Sequence, residues 1–424
     1  MKPPLRILYS AGPGDVINTY RHWAKGEDDP TQLSMTYSGM FYEACRAGGD
    51  CAYVISSCRR KNRVEDARFR IVHRPSLFPN GPGPLFYLGQ TWTELRLIAS
   101  ALWYRADVAL IACGNTSWLL LQVMPLLGIR VVPSLHCVLW SKYRKLTPLQ
   151  KMLRRMRVPF FTKAAFRILS ASEDITAQLG EMTGNRQRPV VQFLPSYRPA
   201  QFEGVTPPMT GKPPFRILFA GRIERNKGVF DLLAIAGRFA AEGRTDIRFD
   251  VCGNGSALDE LRSKAKEASL SDRFVCHGHC NWQTMQRMYT DAHAVVVPTT
   301  GDFVEGFNQV VAEAVLAGRP VITSEVCPAL AYVRNAVVQV PVDDVAAYGD
   351  AILKLCDDVE FYQARRKGCL GAQEQFYDLS KSWMCAVRNV LDEIRALRCG
   401  EVATDLTAIG SSSPEQPPSF VSHV

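Results

Sequence analysis

Several features that would redirect the reading of this sequence are missing from it. The start, MKPPLRILYS, has no long apolar core, so no secretory signal is expected. The longest apolar stretch, WLLLQVMPLLGIRVVPSLHCVLW (118–140), is interrupted by Gln122, Pro125, Gly128, Arg130, Pro133 and His136. A membrane span needs about 20 apolar residues, so this stretch reads as helix, turn and buried strand. The 13 cysteines are odd in number and form no framework; without an export signal they are expected to be reduced thiols of a cytoplasmic protein. There is no Asp-x-Asp triplet of the kind that holds a metal against a nucleotide diphosphate. CHGHC (276–280) has no second Cys/His pair at matching spacing, and neighbours on its strand point to opposite faces, so no metal is expected there. No recognition-helix or RNP-like signature occurs, and nucleic acid is not an expected partner. Acids are scarce in the first half: residues 1–200 carry 13 Asp+Glu against 27 Lys+Arg, whereas residues 201–424 carry 28 against 23. That asymmetry points to an anionic partner for the first half.

At 424 residues the chain is too long for one core of ordinary size. Its 47% hydrophobic content and mean hydropathy of −0.07 fit a soluble globular protein. Two halves begin alike, LRILYSAGPGD (5–15) and FRILFAGRIERNKG (215–228), each an apolar strand running into a glycine turn. Further apolar runs follow, CAYVIS, DVALIAC, RVVPSLHC and FRILSAS in the first half, and RFDVCG, RFVCHG, AHAVVVP, RPVIT and VVQVP in the second. Continuous Val/Ile/Leu runs alternating with helical patterns predict parallel sheets covered on both faces. The expected fold is therefore α/β, with two doubly wound, Rossmann-like domains facing a central cleft and ligands at the carboxyl ends of the strands. The expected boundaries are 1–198 for the first domain, a Pro/Gly-rich linker at 199–214, 215–375 for the second domain, a C-terminal helix at 376–400 and a disordered tail at 401–424.

The chemistry concentrates in a few turns. GPGD (12–15) lets the backbone at Gly14 approach a phosphate or sugar, although Ile17 stands where a dinucleotide fingerprint needs a third glycine. In GRIERNKG, Arg222 and Lys227 leave a strand end just ahead of a helix, a placement that suits a diphosphate. CGNG (252–255, with Gly253) and the turn at Gly278 offer backbone close to a ligand, the second of them to a nucleobase. His136 closes strand RVVPSLHC at the cleft, where a structural hydrogen bond is the competing role. KYRKLTPLQKMLRRMRVPFFTK (142–163) holds eight basic residues among leucine, methionine and phenylalanine. It reads as a basic amphipathic helix for an anionic membrane surface, or as an ordinary solvated face.

EGFNQVVAEAVLAG (305–318) contains two glutamates, Glu305 and Glu313, in an otherwise apolar run. Eight residues of helix would separate them by roughly 12 Å, whereas hydrolytic carboxylate pairs stand about 5–9.5 Å apart. Two anchors on one long ligand, with helix N-terminal amides between them, is the better reading. In order and spacing, GR-x4-KG (221–228), GNG (253–255), VVVP (295–298) and E-G-F-x5-E-A-x3-G-x-P-V (305–321) resemble the retaining glycosyltransferases of family 4, which have the GT-B fold. GPGD, RVVPSLH, ILSASED and FLPS extend the resemblance over the first half.

The resemblance implies that Arg222 and Lys227 hold the diphosphate of a nucleotide-sugar donor and that Glu313 binds its ribose. It further implies that Glu305, with the amides of Phe307 and Asn308, holds the donor sugar. His136 faces that sugar from the other domain, Gly14 approaches the phosphates, and the region around Gly278 lines the base. Transfer goes to an acceptor hydroxyl with retention, without metal or other cofactor. The expected partners are a nucleotide-diphosphate sugar and a glycan or lipid-linked acceptor, with cytoplasmic location and a peripheral contact at the inner face of the membrane. Asn308 stands where a glycine is common, and GPGD replaces a plain glycine pair. Two readings compete: a nucleotide-sugar epimerase of the same fold, and a non-catalytic basic protein that binds membrane or nucleic acid.

Overall fold

A computed structural model describes residues 3–29, 35–77, 83–114, 116–208 and 213–400. The expected tail at 401–424 and linker residues 209–212 lie outside them. The first half builds on strands β1 (Arg6–Ala11), β2 (Cys51–Ser56), β3 (Arg63–Glu65), β4 (Phe69–His73), β5 (Val108–Ala112), β6 (Arg130–Leu135), β7 (Ile168–Ser170) and β8 (Val190–Gln192). They form one sheet in the order β3-β4-β2-β1-β5-β6-β7-β8, parallel except for the edge strand β3. Its helices are α1 (Val16–Ala24), α2 (Tyr37–Gly48), α3 (Gly83–Tyr104), α4 (Pro148–Pro159) and α5 (Glu173–Thr183). The second half has β9 (Phe215–Ala220), β10 (Ile247–Cys252), β11 (Phe274–Gly278), β12 (Ala294–Val297), β13 (Val321–Ser324) and β14 (Val337–Val340) in the order β11-β10-β9-β12-β13-β14, all parallel. Around it lie α6 (Val229–Ala241), α7 (Leu258–Glu267), α8 (Trp282–Asp291), α9 (Gln309–Leu316), α10 (Leu330–Val333), α11 (Val345–Asp357), α12 (Val359–Ala372) and α13 (Glu374–Tyr377); α14 (Trp383–Arg398) ends the described chain. The fold is two doubly wound α/β domains.

Strands β3, β4 and β8 were not expected. FRIVH alternates buried with partly exposed residues and is broken by Arg70 and His73, and RVE and VVQ are three residues long, so none shows the long apolar run that marks a central parallel strand. The amphipathic helix expected over 142–163 is shorter. Thr147 accepts the Gln150 N–H at 3.2 Å while Gln150 Oε1 accepts the Thr147 N–H at 2.9 Å, a capping box ahead of Pro148. Residues 142–147 are therefore loop, and the helix passes into a wider turn at 160–164.

Helix α14 returns to the first domain. Trp383, Val390 and Ile394 join the core under that sheet. Arg395 pairs with the buried Asp50, whose other oxygen accepts the Leu5 N–H at 2.8 Å. Arg167 makes two bonds to Glu393, at 2.9 and 2.6 Å. In the second domain the buried Arg319 donates to the carbonyls of Tyr289 and Thr206 at 2.7 and 2.5 Å, which fixes the chain entering that domain. Burial lowers its pKa to about 10, still high enough to keep the charge.

Candidate active site

The loops after β6 and β12 meet across the cleft. The Val138 N–H donates to the Glu305 carbonyl at 3.0 Å, Ser141 Oγ donates to the Gly301 carbonyl at 2.6 Å, and Arg144 pairs with Asp302 at 2.9 Å. At Gly306 the approach is so close that a Cβ would lie 2.1 Å from the His136 carbonyl oxygen. No side chain fits there.

Glu305 is the centre of the site. It is 8% exposed, and its Oε2 pairs with the Lys227 ammonium. The same oxygen accepts from Asn308 Nδ2 at 3.2 Å and Thr299 Oγ1 at 3.4 Å, while Oε1 accepts the Gly306 N–H at 3.0 Å. Both cations lean on Phe303: Lys227 Nζ lies 4.0 Å and the Arg222 guanidinium 5.5 Å from the ring centroid. Arg222 is exposed and has no ion pair among the described residues. Asn308 takes φ 65° just ahead of α9 and makes no side-chain cap bond, so the N-terminus of α9 keeps donors for a ligand. The Phe307 side chain is buried in the core against Tyr332 and Phe376.

Glu313 lies inside α9, 3% exposed, between two tyrosine hydroxyls: Tyr289 donates at 2.8 Å and Tyr197 at 3.4 Å. Burial raises its pKa to about 7, against the pull of those two hydroxyls. The two glutamates are not separated by eight residues of helix. Helix α9 starts only at Gln309, so Glu305 sits on the preceding loop and the two carboxylates differ in surroundings as well as position.

On the opposite wall, His136 follows β6. Its Nε2 lies 2.9 Å from Ser134 Oγ, which accepts from Trp383 Nε1 at 2.8 Å. Its Nδ1 is buried without a hydrogen-bond partner. The ring packs against Tyr37 with centroids 4.3 Å apart and planes tilted by 60°, and burial lowers its pKa to about 4, so it is neutral at pH 7. The His136 N–H donates to Cys113 Sγ at 3.0 Å. A hydrogen bond from the Cys137 thiol holds Cys113 down near 7.

The glycine turns divide. Gly253 has φ 141° and a Cβ there would fall 1.7 Å from the Gly221 carbonyl oxygen, so this turn packs directly on the loop carrying Arg222. The Gly253 N–H donates to the Gly278 carbonyl at 2.7 Å, which ties the two expected base-side turns together. Gly14 faces open space. At CHGHC, His277 bonds the buried Asp250 at 2.8 Å. Among the described residues, the one His/Cys/Asp/Glu group close enough together to hold a metal ion is Asp246, Cys356 and Asp357, and there Arg244 pairs with both carboxylates at 2.9 and 2.7 Å.

Lys227, Glu305 and Asn308 thus converge on one point, with Arg222 beside them. Thr299, Phe303, Tyr37, Tyr197 and Tyr289 were missed. Thr299 could have been found from its place directly after VVVP at a strand's carboxyl end; the tyrosines carry no local signal.

Residues 209–368 match the family model described as Glycosyl transferases group 1, and the chain carries a domain of that kind. An uncharacterized glycosyltransferase of Methanocaldococcus jannaschii is 28% identical over 121 residues, covering 28% of this chain and 30% of that protein. The 2-deoxystreptamine glucosyltransferase of Streptomyces kanamyceticus is 25% identical over 299 residues, covering 64% of this chain and 74% of that protein. The chain therefore spans less than a third of the first relative and about three quarters of the second. Sucrose-phosphate synthase from Thermosynechococcus elongatus has the same fold, with TM-score 0.67 at 16% identity over 94% of this chain and 100% of that one. Anabaena HepE, solved in complex with UDP and glucose, gives 0.59 at 14% identity over 92% and 98%. The matched domain and the two curated relatives are those of glycosyltransferases.

Proposed function

We propose that the protein is a retaining glycosyltransferase of the family 4 type. It moves a sugar from a nucleotide-diphosphate sugar to a hydroxyl of a lipid-linked or polysaccharide acceptor, in cytoplasmic assembly of an envelope or exopolysaccharide. The observation that carries this reading is the Lys227–Glu305 pair at the N-terminus of α9, with the exposed Arg222 beside it. An incoming diphosphate takes Lys227 and Arg222, and the sugar hydroxyls replace Lys227 on Glu305. As the bond from the sugar to the diphosphate breaks, negative charge grows on the leaving oxygen, and two preplaced cations stabilise it. They make a metal unnecessary. Glu313, already gripped by two hydroxyls, has lone pairs left for ribose. His136 offers its unpartnered Nδ1 to the donor from the first domain, and Gly14, Gly253 and Gly278 let backbone approach phosphates and base.

The epimerase alternative asks for two carboxylates working on one ring. Glu305 and Glu313 are held by different partners, which favours transfer. Thermal-shift screening against UDP, ADP, GDP and their sugars, followed by anomeric analysis of product by NMR, tests the proposal. A rise in melting temperature with one nucleotide series and a product of retained configuration support it. No shift with any of them, or an inverted product, overturns it.

A further inference from the structure

The exposed apolar side chains concentrate on one layer of the first domain. On α3, Leu85, Leu88, Trp92, Leu95 and Leu102 are all solvent-exposed. Their three- and four-residue spacing aligns them along about 26 Å of one outward face. Leu126, in the 121–127 turn, is 87% exposed, and Leu149, Met152 and Met156 on α4 are 44–51% exposed. These elements are neighbours: α3 packs on the 121–127 turn, that turn on the 160–164 turn, and the latter on α4. They carry the chain stepwise from β4 to β7, and right-handed crossovers place them on the same side of the sheet. Scattered apolar residues need no explanation, but a contiguous set of this size marks an interaction surface.

Charge decides what covers it. No Asp or Glu occurs between Asp107 and Glu173, a span holding ten Lys and Arg. Lys142 and Arg154 are paired with Asp174 and Glu181, whereas Lys145, Lys151 and Arg155 stand exposed beside the apolar residues. A symmetric dimer through this layer would set those cations against each other. A membrane surface takes both components, with apolar and tryptophan side chains at headgroup depth and cations on anionic lipid. Among the described residues no helix is long and apolar enough to cross a membrane, so the contact is peripheral. The face also reaches the cleft: Trp92, Leu77 and Arg96 share a cavity of about 40 Å³ with Ser10, Ala11 and Ile55 at the carboxyl ends of β1 and β2.

We propose that the outward face of α3, the 121–127 turn and α4 docks on the headgroup layer of a membrane containing anionic lipid, and so holds the first domain's cleft edge beside a lipid-borne acceptor. The docking itself does not depend on the transfer reading. The test is flotation of the full chain with vesicles of phosphatidylcholine alone or with about one-third phosphatidylglycerol. Wild type should float with the anionic vesicles. Leu88→Glu with Leu126→Glu should cut partitioning at least tenfold. Lys151→Gln with Arg155→Gln should lower it by about thirtyfold at low salt, at roughly fivefold per cation, and remove the preference for phosphatidylglycerol. All four positions are exposed, and circular-dichroism melting should match wild type. Absence of wild-type flotation, or equal flotation of wild type and both variants, overturns the proposal. So does a wild-type dimer in sedimentation that the Leu88/Leu126 variant converts to monomer without any vesicle binding. Flotation needs neither donor nor acceptor, so its failure leaves the transfer reading standing.

Discussion

Replacing Lys227 by Met tests the site through two measurements that need not agree. The Lys227 and Glu305 side chains are only 13% and 10% exposed. Removing the ammonium strands a nearly buried carboxylate on the Gly306 N–H, Asn308 Nδ2 and Thr299 Oγ1. Breaking a buried pair costs about 3–5 kcal/mol. The three remaining donors place the expected loss at the lower end, about 3 kcal/mol in urea unfolding. Glu305→Gln in the same background should restore most of it, because a neutral amide leaves no unpaired charge. Binding should follow a different pattern. A charge-assisted contact to phosphate contributes about 1.5–3 kcal/mol, so Lys227→Met should weaken the cognate nucleoside diphosphate by about tenfold to a hundredfold in calorimetry. Glu305→Gln alone should tighten that diphosphate, since Glu305 no longer competes for Lys227, while transfer collapses. Opposite signs for the two single variants are the signature of a shared phosphate and sugar site. A purely structural pair would lose stability in both variants and leave affinity unchanged, and that result would refute the reasoning.

Glu305→Ala should abolish transfer with little change in far-ultraviolet circular dichroism; full activity in that variant would remove Glu305 from the sugar. Gly306→Ala forces a methyl to within 2.1 Å of the His136 carbonyl, so the loops must part; both melting temperature and transfer rate should fall, and an unchanged rate would show that the closure is not needed. Glu313, raised to about 7 from 4.5 by burial, stabilises the fold below pH 4.5, and that stability is lost as pH rises through 7. Glu313→Gln should therefore gain about 3 kcal/mol over wild type at pH 8 and nothing at pH 4 in urea titrations. His136, lowered to about 4 from 6.5 by burial, has the opposite sign: its contribution is present above pH 6.5 and lost as pH falls through 4. His136→Phe should flatten that acid limb, and an unaltered acid limb would count against burial of the ring.

What could be read from the chain followed from how local each signal was. The eleven strands anticipated are apolar runs of three to six residues or pieces of longer ones, and such runs have one stable destination, the middle of a parallel sheet. Lys227 and Glu305 were readable because each sits in a turn whose neighbours fix the backbone, a glycine on one side and a helix start on the other. Their pairing was not, since it joins loops 78 residues apart in sequence. The two tyrosines around Glu313 were hidden for the same reason: Tyr197 comes from the interdomain segment and Tyr289 from α8, and neither stretch resembles a site. Helix α3 is the reverse case. LFYLGQTWTELRLIASALWY is apolar on nearly every side, a pattern that ordinarily means burial all round. The sheet covers one side of it, and only the fold reveals that Leu88, Trp92 and Leu95 have nothing packed over them. Sequence supplies the amount of apolar surface, and topology decides how much of it is left over. That surplus, set beside a stretch of chain without acids, is why the first half's positive charge is better assigned to a membrane face than to the donor site, where the second domain supplies Arg222 and Lys227.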